Sequence, residues 1–579
     1  MGYFLKQSST RKKGLYLQIY RSFYVSGKGG RHKSYQVIGY ASDLKEQGIK
    51  DPISYANEIV QKLNANSKLE KEAKIGNASL SKNLGHFLLK GMLDYLEPDE
   101  TLNIMSSNKK FQFKFNDFVR SMIYAQVVNP GSKHNAFEKV FPNMYNCTTF
   151  SYDQILETIQ YIGNDYQKLI ELFNHQIGLK WKRKTGKAFF DCTNYYFEID
   201  LPSEDKQNGP SKENRHCPII SQALLLDENQ IPLAMSMFPG NESEKPQIRK
   251  TIEDLKQRFD IKTKIVQIAD KGLNCARNIY SASIESRDGY IFSKSVHGRC
   301  LSNKEKQWVR LDDNCENAWT SVNDEKGKML YKYKSCIDDF EYKFIDDNNN
   351  EIKFTVKEKR VVSYNPALAR KQKAAIQKQI DKARTIMSIK ESMKDDYGDS
   401  IKYVNFVSVN NDGEVITTSP LLNLKKIEED ISYAGYNLLV SSELKKTAQE
   451  IYEAYHGLWR IEESFRVMKT YLEARPVYLQ TKESIYGHFL ICYLALTVLR
   501  LIELKVFNDK LPIGKIVEFI RNYNISEMPD GKYVNNATNS AILKAIQDKI
   551  GIATLDNLYL RKKDVENIFK AELFKSRKH

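Results

Sequence analysis

Three acidic residues carry the chemistry that this sequence offers. Asp191 lies in the aromatic-rich run KAFFDCTNYYFEI, Asp270 closes the short apolar run KIVQIAD, and Glu462 lies in YHGLWRIEESFRVMK, Tyr455 to Lys469. Three converging carboxylates with no Cys or His suit a hard cation such as Mg²⁺, which keeps several waters and takes further ligands from substrate phosphates. Two such ions about 4 Å apart activate a water or a 3′-hydroxyl on one side and stabilise the leaving oxygen on the other. Each acid also has a plainer reading. A strand Asp is often structural, an Asp before Lys-Gly is often a turn former, and Glu462 with Arg466 is a standard i,i+4 pair of a solvated helix.

The stretch around Glu462 has a helical pattern. At about 100° per residue, Tyr455, Trp459, Glu462, Arg466 and Lys469 fall within an arc of roughly 80°. Leu458, Ile461, Phe465, Met468 and Leu472 form a second stripe beside them, the face expected to be buried. Arg460 lies about 160° from Glu462 and points to the far side. Thr447 and Glu450 form a capping box leading into this helix.

The elements that would position the other two acids read in the order strand, strand, strand, helix, strand, helix. KAFFDCTNYYFEI is the first strand, IISQALLL and IPLAMSMF form a hairpin through DENQ, FPGN makes a turn, and KIVQIAD is the fourth strand. Ser243 is the expected N-cap of the helix running to about Phe259, and Asn274 of the next one. Asp191 thus lies within the first strand and Asp270 at the end of the fourth, and sites in open sheets gather at the carboxyl ends of strands. Glu462 joins them if its apolar stripe packs onto that sheet.

Upstream, LYLQIYRSFYVSGKGGRHKSYQVIGY alternates around a Gly-rich turn and reads as a β-hairpin. Residues from about 50 to 180 are mostly helical in pattern, broken by the turn NPGSK. From about 290 to 430, MLYKYKS and the pair FEYKFI and EIKFTV read as antiparallel strands, and Asn365-Pro366 starts a basic helix. Its cations lie all round the cylinder, so a solvated helix fits as well as a DNA-binding one. The tail after about 505 reads as helical and basic.

Composition narrows the class. The 579 residues carry a net charge of +16, which suits a polyanionic partner, although ribosomal and membrane-surface proteins share such totals. From Met1 to Ser42 there are Lys6, Arg11, Lys12, Lys13, Arg21, Lys28, Arg31 and Lys33, with no Asp or Glu. The eight cysteines show no CxxC, which argues against a zinc module or a disulfide scaffold. The N-terminal residues lack an apolar signal core, and the longest apolar run, Phe489 to Leu499, is too short to span a bilayer. A soluble intracellular protein is expected.

The combined pattern resembles the DDE transposases of bacterial insertion sequences, in the subgroup with a β-rich insertion before the catalytic Glu. That subgroup's signature is Tyr, two residues, Arg, three residues, Glu, six residues, Lys. Tyr455, Glu462 and Lys469 match it in spacing, and Leu458 stands where the Arg is expected. FDCTNYYFE resembles the first-Asp strand, IADKGLN the second-Asp strand, and FPGNESE the turn between them. The resemblance covers about 180 to 500.

It implies an α/β fold, a ribonuclease-H-like core interrupted by the insertion. The expected divisions are 1–75 (basic hairpin), 76–180 (helical, binding DNA ends), 181–290 (core), 291–430 (insertion with basic helix), 431–505 (core with the Glu) and 506–579 (helical tail). It implies that Asp191, Asp270 and Glu462 are catalytic and hold two Mg²⁺ ions, with Mn²⁺ as a substitute. Tyr455 and Lys469 would face the DNA backbone, Arg466 would replace the missing Arg, and Trp459 would pack beneath them or stack on a base, core packing being expected. The implied partners are double-stranded DNA, as terminal inverted repeats and target, and a second copy in a paired-end homodimer. The implied setting is the bacterial cytoplasm, on the nucleoid, with no membrane. A structure-specific nuclease on the same core, or a domesticated DNA-binding protein with a dead site, would share most of these features.

Overall fold

The computed structural model describes residues 2–10, 14–25, 29–72, 80–107, 109–213, 216–296, 301–310, 319–387, 394–411, 414–528 and 531–574. They form two compact units, one of residues 1–82, 526–534 and 559–563, the other of 83–525, 535–558 and 564–579.

In the smaller unit the N-terminal segment is a three-stranded antiparallel sheet rather than a hairpin. Tyr3–Thr10 adds a strand to Gly14–Val25, which pairs with Gly29–Tyr40. The hairpin reading missed the added strand because YFLKQSST has few apolar residues to alternate. Leu17 packs with Leu44 and Ala56 beneath the sheet. Part of the tail also folds here, with Tyr533 and Val534 pairing with Leu560 and Tyr559, so the tail is not purely helical.

The larger unit is built on a nine-stranded mixed sheet among the described residues. Its centre comprises β1 (Lys187–Tyr196), β2 (Ile219–Leu226), β3 (Pro232–Pro239), β4 (Val266–Ala269) and β5 (Gly289–Lys294). They lie in the order β3-β2-β1-β4-β5. The first three are antiparallel neighbours, and β4 and β5 then run parallel to β1. This is the ribonuclease-H-like arrangement. β2 and β4 are buried along their whole length, as expected of strands covered on both faces.

The insertion extends the same sheet. β6 (Thr320–Asn323), β7 (Met329–Ile345) and β8 (Glu351–Tyr364) join it through β9 (Tyr436–Ser441), which pairs antiparallel with β5. MLYKYKS and FEYKFI are one strand, β7, because the intervening Cys336 to Asp339 stay in register with β8. The basic helix runs from Pro366 to Met387 and buries Ala369, Ile380, Ala383 and Ile386, so one face of it is structural. Asn365 accepts hydrogen bonds from the Ala367 and Leu368 amides at its start.

α1 (Gln247–Arg258) begins four residues after Ser243 and has no side-chain N-cap. The Ser243 hydroxyl instead accepts from the Lys245 amide within the turn. Asn274 likewise does not cap its helix, since its side-chain amide donates to the Ser293 carbonyl and ties the Asp270 turn to β5. The helices of 87–180 pack around a long buried helix, α4 (Lys482–Leu501).

Candidate active site

Phe190 of β1 and Ala269 of β4 are parallel-register partners. Asp191 is the next residue of β1 and Asp270 the first residue after β4, so the topology sets the two acids side by side. β4 ends there, and Asp270 is exposed while Asp191 remains half-buried. Burial pushes the Asp191 carboxyl up to about 6, with Glu244 and Asp270 adding to the rise and Lys212 and the Cys192 amide opposing it. The Cys192 amide donates to Asp191 Oδ1 at 2.8 Å.

Glu462 arrives from a helix laid across this sheet. The pattern from Tyr455 to Lys469 is not one regular helix. α2 (Ala448–His456) opens with the expected Thr447–Glu450 capping box, α3 (Trp459–Arg466) follows, and a π-helical turn spans Val467–Tyr471. Gly457 and Leu458 keep helical dihedrals between α2 and α3, so the stripe survives. Leu458, Ile461, Phe465, Met468 and Leu472 are all buried, and α3 packs on β1 and β2. Gly457 permits the close approach, since a Cβ there would stand 2.6 Å from the ring of Phe189, two residues before Asp191.

The side chains of the polar face differ in surroundings. Tyr455 donates its hydroxyl hydrogen bond to Asp270 Oδ1 at 2.9 Å. Burial, then the charge of Asp270, then that of Glu462, raise the Tyr455 hydroxyl pKa, so it stays a donor, and this ties it electrostatically to both acids. Glu462 is exposed. Among the described residues, no three His, Cys, Asp or Glu side chains stand ready-grouped as a metal site.

Trp459 is 51% exposed rather than in the core, with the Arg460 guanidinium 4.1 Å from its ring centroid. Its position on the exposed arc overrides the apolar character that suggested core packing. Arg466 is exposed and lies 3.6 Å from Glu463, not paired with Glu462. Lys469 donates to Glu213 at 3.1 Å.

Two networks centred on buried cations, Arg460 with Arg500 and then Lys133, hold this helix from behind, and neither is visible in the sequence. Arg460 donates to Glu463 at 2.9 Å, to Asp509 at 2.6 Å and to Gln230 at 3.1 Å, while Arg500 of α4 donates to Glu463 at 3.1 Å and to Ser464 at 3.2 Å. Farther along, Gln126 donates to the Leu472 carbonyl at 2.6 Å. The buried Lys133 lies 3.0 Å from His488 Nδ1, and His488 Nε2 lies 3.1 Å from the Ala474 carbonyl. An ammonium can only donate, so Nε2 carries the imidazole proton.

The sequence reading also missed Lys212, Glu213 and Glu244. Lys212 lies 3.1 Å from Glu244. Burial lowers the Lys212 pKa, but Asp191 and Glu244 outweigh it and leave it above the usual lysine value. Glu244 falls in FPGNESE, a motif whose spacing was visible although its carboxylate's role was not. Lys212 and Glu213 lie in a polar loop that reads as mere linker until the chain is folded.

The family model of the transposase DDE domain matches residues 183–498, more than half of the chain. No curated protein gives a match. Among solved structures, the cryo-EM structure of the piggyBac transposase synaptic complex with hairpin DNA is similar at 9% identity and a TM-score of 0.35, over 76% of this chain and 78% of that one. The chain belongs to the transposase DDE-domain family.

Proposed function

We propose that this protein is the transposase of an insertion sequence, which binds the element's terminal inverted repeats, cuts DNA strands there and joins them to target DNA. The observation that best supports it is the adjacency of Asp191 and Asp270 on parallel strands, beneath a helix that brings Glu462 and links to Asp270 through Tyr455. The donor chemistry fits a divalent cation. All three candidates are hard carboxylates, and Asp191 is a desolvated acid crowded by two others, an environment that a cation relieves. Asp191, Asp270 and Glu462 would hold Mg²⁺, with two ions and Mn²⁺ as a substitute.

When bound, the metal supplies positive charge to the attacking and leaving oxygens. The chain's own residues do the rest. Tyr455 orients the Asp270 carboxylate, as outer-shell donors do. Exposed Arg466 grips two phosphate oxygens in a way Lys cannot, and Trp459 offers an exposed ring on which a base can stack. The smaller unit adds a basic, aromatic surface for end recognition, with Lys6 4.5 Å from the Tyr20 ring centroid and Phe4 5.0 Å from that of His32. Pairing two ends calls for a homodimer.

The test is a plasmid carrying the coding region with its native flanks, incubated with purified full-length protein and Mg²⁺. Breaks at the element's ends followed by joining to a second plasmid are expected. Cutting without joining, indifferent to the flanks, would instead identify a nuclease on the same core.

A further inference from the structure

Glu213 sits between two cations. It accepts from Lys469 Nζ at 3.1 Å and, with its other oxygen, from Arg475 Nη1. The two cations rest on aromatic rings of β1, the strand that carries Asp191. Lys469 Nζ lies 5.3 Å from the centroid of Tyr195, and the Arg475 guanidinium 5.1 Å from that of Tyr196. All three charged side chains are partly open to solvent, at 17% for Lys469, 24% for Arg475 and 25% for Glu213. Partial burial raises the Glu213 carboxyl, but the hydrogen bonds from Lys469 and Arg475 outweigh it, and the group is held below its usual value.

The carboxylate is placed there by its loop. Asn194 of β1 donates to the Pro210 carbonyl at 3.0 Å and accepts from the Lys212 amide at 3.2 Å. A Cβ on Gly209 would stand 1.9 Å from the Gly240 carbonyl oxygen, so the loop is seated against the turn after β3. Lys206 and Asp205 anchor it further, to the Gln480 carbonyl at 2.9 Å and to Lys482 at 2.9 Å.

An ammonium and a guanidinium converging on one oxyanion group also make a phosphodiester site, because phosphate oxygens use the same donors as a carboxylate. We infer that Lys469 and Arg475 form a phosphodiester-binding pair beside the candidate active site, and that Glu213 occupies it in the DNA-free chain as an internal competitor that a DNA backbone must displace. Arg475 lies six residues beyond Lys469, outside the Tyr–Glu–Lys spacing, and is thus a further DNA-contacting residue. The inference rests on reading this face as the one that receives DNA.

The test uses full-length protein and a fluorescein-labelled duplex of unrelated sequence, read by anisotropy across a salt series, because a backbone contact needs no particular sequence. Glu213→Gln should tighten binding by about two- to fivefold, the scale of a partly exposed ion pair. Arg475→Gln should weaken binding and reduce the slope of log affinity against log salt by about 0.9, one phosphate's worth. In the Arg475→Gln background the gain from Glu213→Gln should shrink, whereas a mere change in overall charge would give the same gain in both backgrounds. Equal or weaker binding by Glu213→Gln, with an unchanged melting temperature, would show that Glu213 only orders its two cations and would overturn the proposal. An unchanged salt slope in Arg475→Gln, the arm that stands if Glu213→Gln fails to fold, would do the same. A wild-type chain that binds duplex but never cuts the plasmid carrying the coding region with its native flanks contradicts the transposase reading alone. One that cuts while Glu213→Gln gains no affinity contradicts this inference alone.

Discussion

The Tyr455 hydroxyl donates to Asp270 Oδ1 at 2.9 Å, joining a helix to a strand end 185 residues earlier in the chain. The bond orients an exposed acid with a donor that its surroundings keep protonated. Tyr455→Phe removes the hydroxyl and leaves the ring. It should raise the divalent-ion concentration needed for half-maximal cleavage by about tenfold, at the lower end for loss of an outer-shell partner, with duplex binding little changed. A Mg²⁺ titration of cleavage rate reads this directly, and an unchanged half-saturation would assign Tyr455 a different role.

Asp191 gives the metal-free protein a pH signature. Its pKa lies at about 6 in the folded chain against 3.8 ordinarily, so between those values the folded state holds a proton that the unfolded state has lost. Stability should therefore fall as pH rises from about 4 to about 6 and level off above. Asp191→Asn should remove that component of the fall. Melting curves of both proteins in chelator across this range test it, and parallel pH profiles would refute it.

Arg466 and Arg460 should separate cleanly. Arg466→Lys keeps the charge of an exposed side chain but loses the guanidinium fork, so cleavage should drop by about tenfold or more with the melting temperature unchanged. On helical position alone, Arg460 faces away from Glu462 and would tolerate Lys. It does face away, but its buried guanidinium is held by Glu463, Asp509 and Gln230. Arg460→Lys should therefore cost about 2 kcal/mol of stability, which denaturant unfolding would detect.

Gly457 sets the distance between the Glu462 helix and β1. Gly457→Ala places a methyl 2.6 Å from the Phe189 ring and should lower cleavage by about tenfold, because the reacting groups must be positioned to within a fraction of an ångström. Phe189→Leu in the same chain makes room and should restore part of the rate. No rescue would mean that the contact does not govern the geometry.

Much of the core was legible because its strands are short, apolar and punctuated by turns. β1 to β4 and the helix after β3 appear in the order read, and Asp191 and Asp270 come side by side because β1 and β4 pair in parallel with Phe190 opposite Ala269, a register that the order alone does not dictate. The stripe from Leu458 to Leu472 was legible from its period, although the chain passes through a π-turn after Arg466. What stayed hidden depends on long-range pairing. Glu213 is a loop residue until Lys469 and Arg475 reach it from some 260 positions away, and the buried Lys133–His488 contact joins segments 355 residues apart. The N-terminal strand escaped because its polar residues carry no alternation. Trp459 was misplaced because residue type suggested burial where helical position gave exposure.

Single substitution of Asp191, Asp270 and Glu462 to Ala, in the flank-containing plasmid assay with Mg²⁺ and with duplex binding measured for each protein, decides whether the three acids form one metal site. Every variant should bind DNA to within about twofold of wild type and none should cut a strand, because removal of any one ligand should disable a site whose metals act as a unit. Wild-type cleavage by any one of the three would contradict the shared site.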